Sequence, residues 1–475
     1  MALLTRRTPT VALPGPRGNP LLGSAVTLRR DLLGTLLRDR ERYGDLVAYP
    51  IGPAGRRRQQ LVVAHHPDDV HHVLSQTERT LSKDTIGFRA LADLFGRGLL
   101  TTEGQQWRRQ RRMVQPLFTP RRVEGYAALM AEEAGRVTAE PGAGQDGGRP
   151  GPDGSVDLHL LMLRYTLRVV GRSLFGDAID DLVPVLHDLV PAVSDATLRR
   201  TFQLRQTPMD RRSPRNLRPR RLRAREYAVI DEVLSRTPAP GDPGYDAAAQ
   251  RRDDLVTRLR EARDPETGDA LSEAEIRDQA LIFLMAGHET TAGALTFTLH
   301  LLGRHQRIQD AVADEVTTVL GDRDAPDAGD LPKLPMTRAA LLEGMRLYPS
   351  AHITERLTTE PVRLAGHDVP AHTIVAVSPW STQRHPRFWP NPAEFDPERF
   401  LDDAVVKARP RYAYFPFGGG PRSCVGEHFA MLEAVILLAA LLRRHQVTAW
   451  SSRLDIEPMI TLRPRGAVPV LLTPR

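Results

Sequence analysis

The amino-acid sequence predicts a mainly helical protein with small β-sheets, built as one large domain over residues 1–475. Stretches with the apolar spacing of helices dominate the chain, and runs rich in β-branched residues are short and few. A chain of this length would ordinarily suggest about three domains, but no linker of convincing length divides it. The hydrophobic fraction of 41% is ordinary for a globular protein with a buried core.

The predicted elements follow in order along the chain. Residues 45–50 and 60–64 flank a Gly/Arg turn and predict a β-hairpin, and a short helix is expected over residues 67–74. Longer helical patterns cover residues 104–115, 121–138, 274–303 and 304–320. The remaining β-rich regions are residues 358–377 and 456–472. This order predicts a helical body with a minor β portion.

Two segments have an unusual composition. Residues 141–154 are rich in glycine and proline, which predicts a surface insertion between helices rather than a domain boundary. Residues 199–225 contain eleven arginines and a single acid, Asp210, in a chain of net charge +7. Pro208, Pro214 and Pro219 argue against a continuous basic helix, and no recognised nucleic-acid module is present. We therefore expect a solvated surface and no nucleic-acid partner.

The sequence shows no sign of export or of membrane insertion. Arg6, Arg7 and several prolines interrupt the apolar residues at the start of the chain. The longest apolar run, residues 434–442, is far too short to cross a bilayer. The single cysteine, Cys424, excludes an internal disulfide. We expect a cytoplasmic protein without a membrane span.

Four histidines cluster near the predicted helix at residues 67–74, namely His65, His66, His71 and His72. They suggest a metal site, but the carboxylate-plus-histidine spacing of a known site is absent. Exposed helix positions are the simpler explanation, so no metal ion is expected there.

The only cysteine lies in the segment Phe417-Gly418-Gly419-Gly420-Pro421-Arg422-Ser423-Cys424-Val425-Gly426. A lone cysteine is usually a small buried hydrophobe. Here, consecutive glycines would let backbone amides turn toward the sulfur, and Arg422 adds positive charge. Both features would favour the thiolate over the thiol. A thiolate on a rigid loop is a suitable axial ligand for haem iron.

A second polar segment, Ala286-Gly287-His288-Glu289-Thr290-Thr291, lies within the apolar residues 281–301. An acid and two hydroxyls are costly to bury without a use, and threonine hydroxyls can bond to the preceding turn and bend a helix. The segment therefore predicts a local opening for a small molecule and water. A zinc-protease motif is excluded because Ala292 replaces its second histidine. A satisfied polar kink is the remaining alternative.

Two further residue pairs have helical spacing. Trp107 and Arg111 lie four residues apart and both donate hydrogen bonds, which suits a carboxylate. Glu343 and Arg346 lie one helical turn apart, a pattern too common to carry weight alone.

Together these motifs make the chain resemble the cytochrome P450 family over nearly its whole length. The matching patterns, in order, are W-x-x-x-R at Trp107, A-G-x-E-T-T at Ala286, E-x-x-R at Glu343, P-E-R-F around Arg399 and F-x-x-G-x-R-x-C-x-G at Phe417. The resemblance implies the fold of that family and a haem b cofactor. Cys424 would be the iron ligand.

The resemblance also implies roles for other residues. The cofactor-binding set would comprise Trp107, Arg111, Arg356, Phe417, Gly418, Arg422, Cys424 and Gly426, with the arginines and Trp107 on the haem propionates. Thr290 would hydrogen-bond the dioxygen, and Glu289 would relay protons to it. Ala286 and Ile353 would contact substrate. Glu343, Arg346 and Arg399 would form a buried structural charge network.

The activity implied is that of a monooxygenase acting on a hydrophobic small molecule with O2. The sequence most resembles actinobacterial enzymes that tailor terpenoids or polyketides, and a fatty acid or steroid would fit nearly as well. A peroxide-driven enzyme is disfavoured because the acid and threonine, Glu289 and Thr290, are both present. A haem-binding protein without catalysis is a further alternative.

Electrons are expected from separate proteins, because one cysteine cannot hold an iron–sulfur cluster. A ferredoxin with its ferredoxin reductase, or a flavodoxin-type donor, would supply them to a monomeric enzyme. Arg108, Arg109 and Arg112 are expected to be solvated and, by resemblance, to border the docking surface of the donor. The basic residues 199–225 could also meet an acidic substrate or partner.

Overall fold

A computed structural model describes residues 13–55, 59–139, 154–201, 207, 209, 211, 213–237, 254–451 and 453–475. The predicted insertion at residues 141–154 lies outside this range except for Gly154, as do several residues of the basic segment. The chain contacts define two compact units. The first comprises Met1–Thr85, His352–Ala393 and Lys407–Ser423, and the second comprises Ile86–Ala351, Glu394–Val406 and Cys424–Arg475. Organisation as a single domain stays a prediction.

The first unit is built on a five-stranded sheet. Its strands are β1 (Leu46–Ile51), β2 (Gln59–Ala64), β3 (Leu81–Ser82), β5 (Thr354–Thr358) and β8 (Ile374–Val377), in the order β1-β2-β8-β5-β3. The predicted hairpin is confirmed, since β1 and β2 pair antiparallel. β8 pairs with β2 in parallel, and β6 (Val362–Leu364) and β7 (His367–Val369) form a separate hairpin.

Alternating side chains bury both faces of this sheet. Val47, Tyr49 and Val63 belong to one apolar cluster, and Leu46 and Val62 belong to another. The unit's helices are α1 (Ala25–Arg30), α2 (Leu32–Tyr43), α3 (Pro67–Ser75) and α15 (Pro379–Thr382), with 3-10 turns at Arg411–Ala413 and Gly420–Arg422. The short helix predicted at residues 67–74 is therefore confirmed as α3.

The second unit is mostly helical. Its helices are α4 (Ile86–Phe95), α5 (Gly104–Val114), α6 (Pro120–Glu124), α7 (Ala127–Ala139), α8 (Leu158–Phe175), α9 (Val183–Thr201), α10 (Pro214–Ser235), α11 (Leu255–Glu261), α12 (Glu273–Arg304), α13 (Gln306–Leu320), α14 (Pro335–Leu347), α16 (Asp403–Ala408, which crosses the unit boundary) and α17 (Glu427–Arg444). Further 3-10 turns lie at Gln115–Phe118, Gly176–Leu182, Ala328–Lys333 and Pro397–Phe400. The predicted class, mainly helical with small sheets, is confirmed.

Two small sheets complete the second unit. β4 (Val156–Asp157), β12 (Pro469–Pro474) and β9 (His445–Ala449) form a three-stranded sheet in the order β4-β12-β9. β10 (Ile456–Pro458) and β11 (Leu462–Pro464) form a hairpin. The β-rich character predicted for residues 456–472 is confirmed by these strands.

Helix α12 is the central element of the second unit. Ser272 caps it, and a reciprocal hydrogen bond from the Ser272 backbone to Glu275 completes a capping box. Most of its 32 residues are buried, because it packs against α8, α14, α10 and α17 on different sides. An all-round apolar helix is stable only when surrounded in this way. The predicted helix at residues 274–303 is confirmed.

One expectation about helices is wrong. The pattern at residues 121–138 is divided into α6 and α7, with Gly125 and Tyr126 between them. The basic segment is not one continuous helix, as its prolines predicted, because α9 ends at Thr201 and α10 begins at Pro214. Pro219 nevertheless lies inside α10. Pro214 occupies the first helical position, where no amide is needed. Pro219 lies on the buried side of α10, where packing offsets its lost hydrogen bond.

The longest apolar run of the sequence lies inside α17, where residues 434–442 are all buried. Its apolar character therefore serves the protein core. Within the described part of the chain, none of the helices has the length and hydropathy needed to cross a bilayer.

Candidate active site

Cys424 lies just before α17, whose N-cap is Gly426. The Gly426 amide donates a hydrogen bond to the sulfur, and the charge of Arg111 also favours the thiolate. Burial has the larger effect and raises the pKa of the Cys424 thiol. The side chain is nevertheless exposed. The sulfur therefore lies deep among protein atoms and still borders accessible space.

The glycines before Cys424 allow close packing within the first unit. Gly420 has a φ of +65°, and a Cβ there would lie 2.3 Å from the carbonyl oxygen of Leu74 in α3. A Cβ on Gly419 would lie 2.3 Å from the ring of Tyr412. The sequence-based expectation assigned these amides to the sulfur, but the amide that reaches it belongs to Gly426.

The basic and aromatic residues predicted for the cofactor in the first unit have contacts of their own. Arg422 forms an ion pair with Glu78. Arg356 is buried in β5 and donates a 2.9 Å hydrogen bond to Thr77 Oγ1.

Phe417 and Gly418 lie in the same loop. Phe417 is half-buried. Gly418 is exposed and has a φ of +72°, a left-handed backbone conformation that favours glycine. The backbone conformation alone therefore explains why glycine occupies position 418, since no neighbouring atom would clash with a Cβ there.

Trp107 and Arg111 lie on one face of α5, as their spacing predicts. Trp107 is buried, and Arg111 is half-buried with its Nε donating to Gln115 Oε1 at 3.0 Å. The structure thus presents an indole and a guanidinium together, in the same unit as Cys424.

Two further arginines of α5 are partly exposed and also form ion pairs, which the sequence did not predict. Arg109 Nη1 lies 2.7 Å from Glu275 Oε1, at the start of α12. Arg112 forms a two-pronged contact with Asp264, at 2.9 Å and 2.8 Å. These pairs connect α5 to residues 264–275, a partnership that the α5 sequence alone does not reveal. Arg108 is exposed, as expected.

The polar segment of α12 has one exposed position in a buried stretch. Ala286 is exposed although residues 280–285 are buried. A Cβ on Gly287 would lie 3.0 Å from Val170, so this glycine lets α8 approach. The Thr290 hydroxyl donates a 2.6 Å hydrogen bond to the Ala286 carbonyl. The segment therefore presents a small side chain and a hydroxyl to accessible space.

Other hydroxyls donate to the backbone of this segment. Thr166 of α8 donates to the His288 carbonyl at 3.1 Å, and Ser350 donates to the Thr290 carbonyl at 2.7 Å. Gly293 makes room for this second contact, because a Cβ there would lie 3.3 Å from Ser350 Oγ. Helix α12 stays continuous through the segment. The backbone therefore shows no break at the predicted opening, and hydroxyls add hydrogen bonds to the His288 and Thr290 carbonyls instead.

The carboxylate of Glu289 receives hydrogen bonds from two hydroxyls. Ser194 of α9 donates to its two oxygens at 3.3 Å and 3.4 Å, and Thr461 donates to Oε2 at 3.1 Å. Burial is the largest effect and raises the pKa of Glu289, while these bonds and Arg463 lower it. No local pattern in the sequence singles out Ser194 or Thr461.

Glu343, Arg346 and Arg399 meet in the second unit. Arg346 donates to both Glu343 oxygens, at 2.6 Å and 2.7 Å, and to the Glu394 carbonyl at 2.9 Å. Arg399 Nε lies 3.4 Å from Glu343 Oε1. Glu343 and Arg346 are 0% exposed. Because the Glu343–Arg346 ion pair is fully buried, its role is to stabilise the core of the second unit.

Ile353 lies in the first unit, immediately before β5. It is half-buried and packs on the apolar cluster that contains Tyr49 and Val63. Its contacts among the described residues are therefore those of a core side chain, which the sequence did not predict.

The donor set fits a haem. One sulfur borders accessible space at the start of a helix, as an axial thiolate ligand requires. Trp107 and Arg111 supply two hydrogen-bond donors suited to a carboxylate such as a haem propionate. Ala286 leaves room on α12 for a flat group.

Comparisons with known proteins agree with this fit. The family described as Cytochrome P450 matches residues 13–468. Cyclooctat-9-en-7-ol 5-monooxygenase of Streptomyces melanosporofaciens is 33% identical over 464 residues, covering 97% of this chain and 95% of that protein. Cyclooctatin synthase of the same organism is 34% identical over 455 residues, covering 95% and 91%.

Pentalenene oxygenase of Streptomyces avermitilis is 32% identical over 459 residues, covering 96% of this chain and 94% of that protein. These relatives and the family match extend over nearly the whole sequence. The chain belongs to the cytochrome P450 family of monooxygenases, whose cofactor is haem b.

Proposed function

We propose that this P450 hydroxylates a terpenoid natural product. The observation that carries the proposal is the α12 segment, where the exposed Ala286, the Thr290 hydroxyl and the Glu289 acid occur within five residues of a buried helix. The relatives support the substrate class, since their names refer to oxidation of cyclooctat-9-en-7-ol and pentalenene. An apolar substrate suits Ala286, and Ile353 is a second proposed contact.

Cofactor binding is proposed for a defined set of residues. Cys424 would ligate the iron, with the Gly426 amide supporting its thiolate. The propionates would be held by Trp107 and Arg111, together with Arg356 and Arg422. Phe417 and Gly418 would shape the loop. When bound, haem supplies the iron chemistry that activates dioxygen and inserts one oxygen atom into a C–H bond.

The protein's own contribution is positioning and proton supply. The overall reaction consumes substrate, O2, two electrons and two protons, and it yields the hydroxylated product and water. Burial raises the pKa of Glu289, which favours the protonated acid and suits a group that supplies protons. The Thr290 hydroxyl, which now donates to Ala286, can reorient to donate toward dioxygen. Glu289 and Thr290 are the proposed catalytic residues.

The electron donor is proposed to be a separate ferredoxin with its reductase, or a flavodoxin-type protein. Cys424 is the only cysteine, so the chain cannot hold an iron–sulfur cluster of its own. We further propose a monomeric cytoplasmic enzyme that folds as one domain. The network of Glu343, Arg346 and Arg399 is assigned to structural support of the second unit.

A carbon monoxide spectrum tests the cofactor assignment. The purified haem protein is reduced under carbon monoxide, and thiolate ligation is expected to give a strongly red-shifted Soret band. Cys424→Ala should bind haem weakly and lose this band. Absence of the band in the parent protein, or its survival in the variant, would refute the ligand assignment.

A ligand screen tests the substrate class. Pentalenene and cyclooctat-9-en-7-ol are the first probes, and fatty acids and steroids form the comparison panels. A terpenoid should shift the haem spectrum as it replaces water in the pocket, and reconstitution with a ferredoxin system should give a hydroxylated product. Tighter binding and faster oxidation of a fatty acid or steroid would favour that class instead. Haem binding without any oxidation would favour a non-catalytic protein.

A further inference from the structure

Three separate elements of the second unit meet at the carboxyl group of Glu289. Glu289 itself lies in α12, Ser194 lies in α9, and Thr461 lies in the turn between β10 and β11. The three hydroxyl contacts have lengths of 3.1–3.4 Å. The acid is therefore fixed by side chains from outside its own helix.

We propose that Ser194 and Thr461 are positioning residues for Glu289, whose hydroxyls hold its carboxyl group in one orientation and set the pH at which it exchanges its proton. The inference rests on the proposed function, in which Glu289 relays protons. It adds two residues that no family motif includes. Neither touches substrate or cofactor in this assignment, so both act through Glu289.

Hydroxyl partners suit a proton relay better than a cation does. A hydroxyl can donate to the ionised carboxylate and accept from the protonated acid, so it can serve both forms. A lysine or arginine in contact would favour the ionised form alone. Arg463 of β11 acts on Glu289 only through its field, and it is paired with Glu457 at 3.0 Å. The direct partners of the acid are neutral.

The turn that carries Thr461 is itself held in place. The Met459 amide donates to the Thr461 carbonyl at 3.1 Å, and the Leu462 amide donates to the Ser350 carbonyl at 2.8 Å. Ser350 in turn donates to the Thr290 carbonyl. The same turn therefore supports both proposed catalytic residues, Glu289 through a side chain and Thr290 through Ser350.

Two opposing effects on the Glu289 carboxyl group determine whether its pKa rises or falls in the variants. Burial disfavours the ionised carboxylate, and the two hydroxyl bonds oppose this effect. Removing either hydroxyl removes a donor to the ionised form, so protonation should persist to higher pH. One lost hydrogen bond should raise the titration midpoint by roughly 0.5–1 pH unit.

Infrared spectroscopy of the haem-loaded protein can observe this proton directly. The carbonyl stretching band of the protonated carboxyl group is recorded across a pH titration, and Glu289→Gln identifies the band by difference. This subtraction is needed because burial also raises the pKa values of Glu226 and Glu433. The test variants are Thr461→Val and Ser194→Ala. Each should raise the midpoint and move the band to a frequency typical of a less hydrogen-bonded acid.

Two control variants distinguish loss of a hydroxyl that positions Glu289 from a general disturbance of the structure. Thr461→Ser keeps the hydroxyl and should restore the midpoint of the parent protein. Thr197→Val removes a buried hydroxyl of the same helix α9 that donates to Val193 rather than to Glu289, and it should leave the band unchanged. If Thr461→Val does not fold, Ser194→Ala with the Thr197 control decides the question.

The inference is overturned if the Glu289 band keeps its frequency and midpoint in the test variants, or if Thr197→Val shifts it equally. This readout does not depend on product formation. A failed carbon monoxide test would therefore refute the proposed function separately, while an unchanged Glu289 titration would refute only the positioning roles.

Discussion

The side-chain hydroxyl of Ser350 donates a 2.7 Å hydrogen bond to the backbone carbonyl of Thr290. This contact joins the segment after α14 to the centre of α12, at the threonine proposed for catalysis. Gly293 eases this close approach, because a Cβ there would lie 3.3 Å from Ser350 Oγ. Ser350, which lies outside the family motifs, therefore stabilises α12 at Thr290.

Ser350→Ala should lower the free energy of unfolding by about 1 kcal/mol, the usual net worth of one hydrogen bond. Urea unfolding of the haem-loaded protein measures this change. Ser235→Ala is the matched control, because its hydroxyl donates to Glu232 at the exposed end of α10. An equal loss of unfolding free energy in the two variants would show that the Ser350–Thr290 hydrogen bond stabilises the protein no more than an exposed one.

Gly420→Ala should prevent normal folding of the cysteine loop. The new Cβ would lie 2.3 Å from the Leu74 carbonyl, at a backbone φ of +65°. Gly418→Ala separates the two causes, because it has a φ of +72° but no atom within 4 Å of the added Cβ. It should cost about 1 kcal/mol from strain alone. Yield of haem-loaded protein is the measurement, and similar yields for both variants would contradict the steric argument.

Removing one partner of the Glu343–Arg346 pair should destabilise the protein by about 3–5 kcal/mol, since the other charge is left buried. Glu343→Gln and Arg346→Leu are the variants, and thermal unfolding with soluble yield is the measurement. Arg363→Ala breaks a pair with Asp368 whose side chains are 73% and 76% exposed. This control should change stability by less than about 1 kcal/mol. A comparable loss from Arg363→Ala would refute the role of burial.

Stability should fall as the pH drops below 6.5, partly because of His65. This histidine was expected at an exposed position, but it is 0% exposed, and its Nδ1 lies 2.7 Å from Ser381 Oγ. Burial lowers the pKa of His65 from 6.5 to about 3. The unfolded chain therefore binds the proton first, so the contribution of His65 is present above pH 6.5 and is lost as the pH falls toward 3.

Between neutral pH and pH 5 this effect amounts to about 2 kcal/mol. His65→Gln cannot titrate, so its unfolding free energy should decline less over that interval. His71→Gln, at an exposed position of α3, controls for the substitution itself. Parallel pH curves for the parent protein and His65→Gln would contradict the prediction.

Much of the fold could be predicted because local patterns determine it. The apolar spacing predicts a helix over residues 274–303, and α12 extends only one residue further at either end. The family resemblance also implied a network of Glu343, Arg346 and Arg399, which the structure brings together. In each case the decisive information lies within short stretches of sequence.

Contacts between distant segments could not be predicted in this way. Arg109 and Arg112 have the composition of a solvated surface, and only the folded chain reveals Glu275 and Asp264 beside them. Pro219 breaks a local rule that tertiary packing overrides. The close packing that requires Gly420 depends on Leu74, far away in the sequence.

The surroundings of Glu289 have a consequence for how the site forms. Its two hydroxyl donors lie 95 and 172 positions away in the sequence, whereas α12 can form from contacts between near neighbours. Contacts of such long range form only when the chain as a whole has adopted its native topology. A partly folded state that keeps its helices would leave this acid hydrated and ionised. Native control of its proton is thus a property of the tertiary structure, which α12 alone cannot provide.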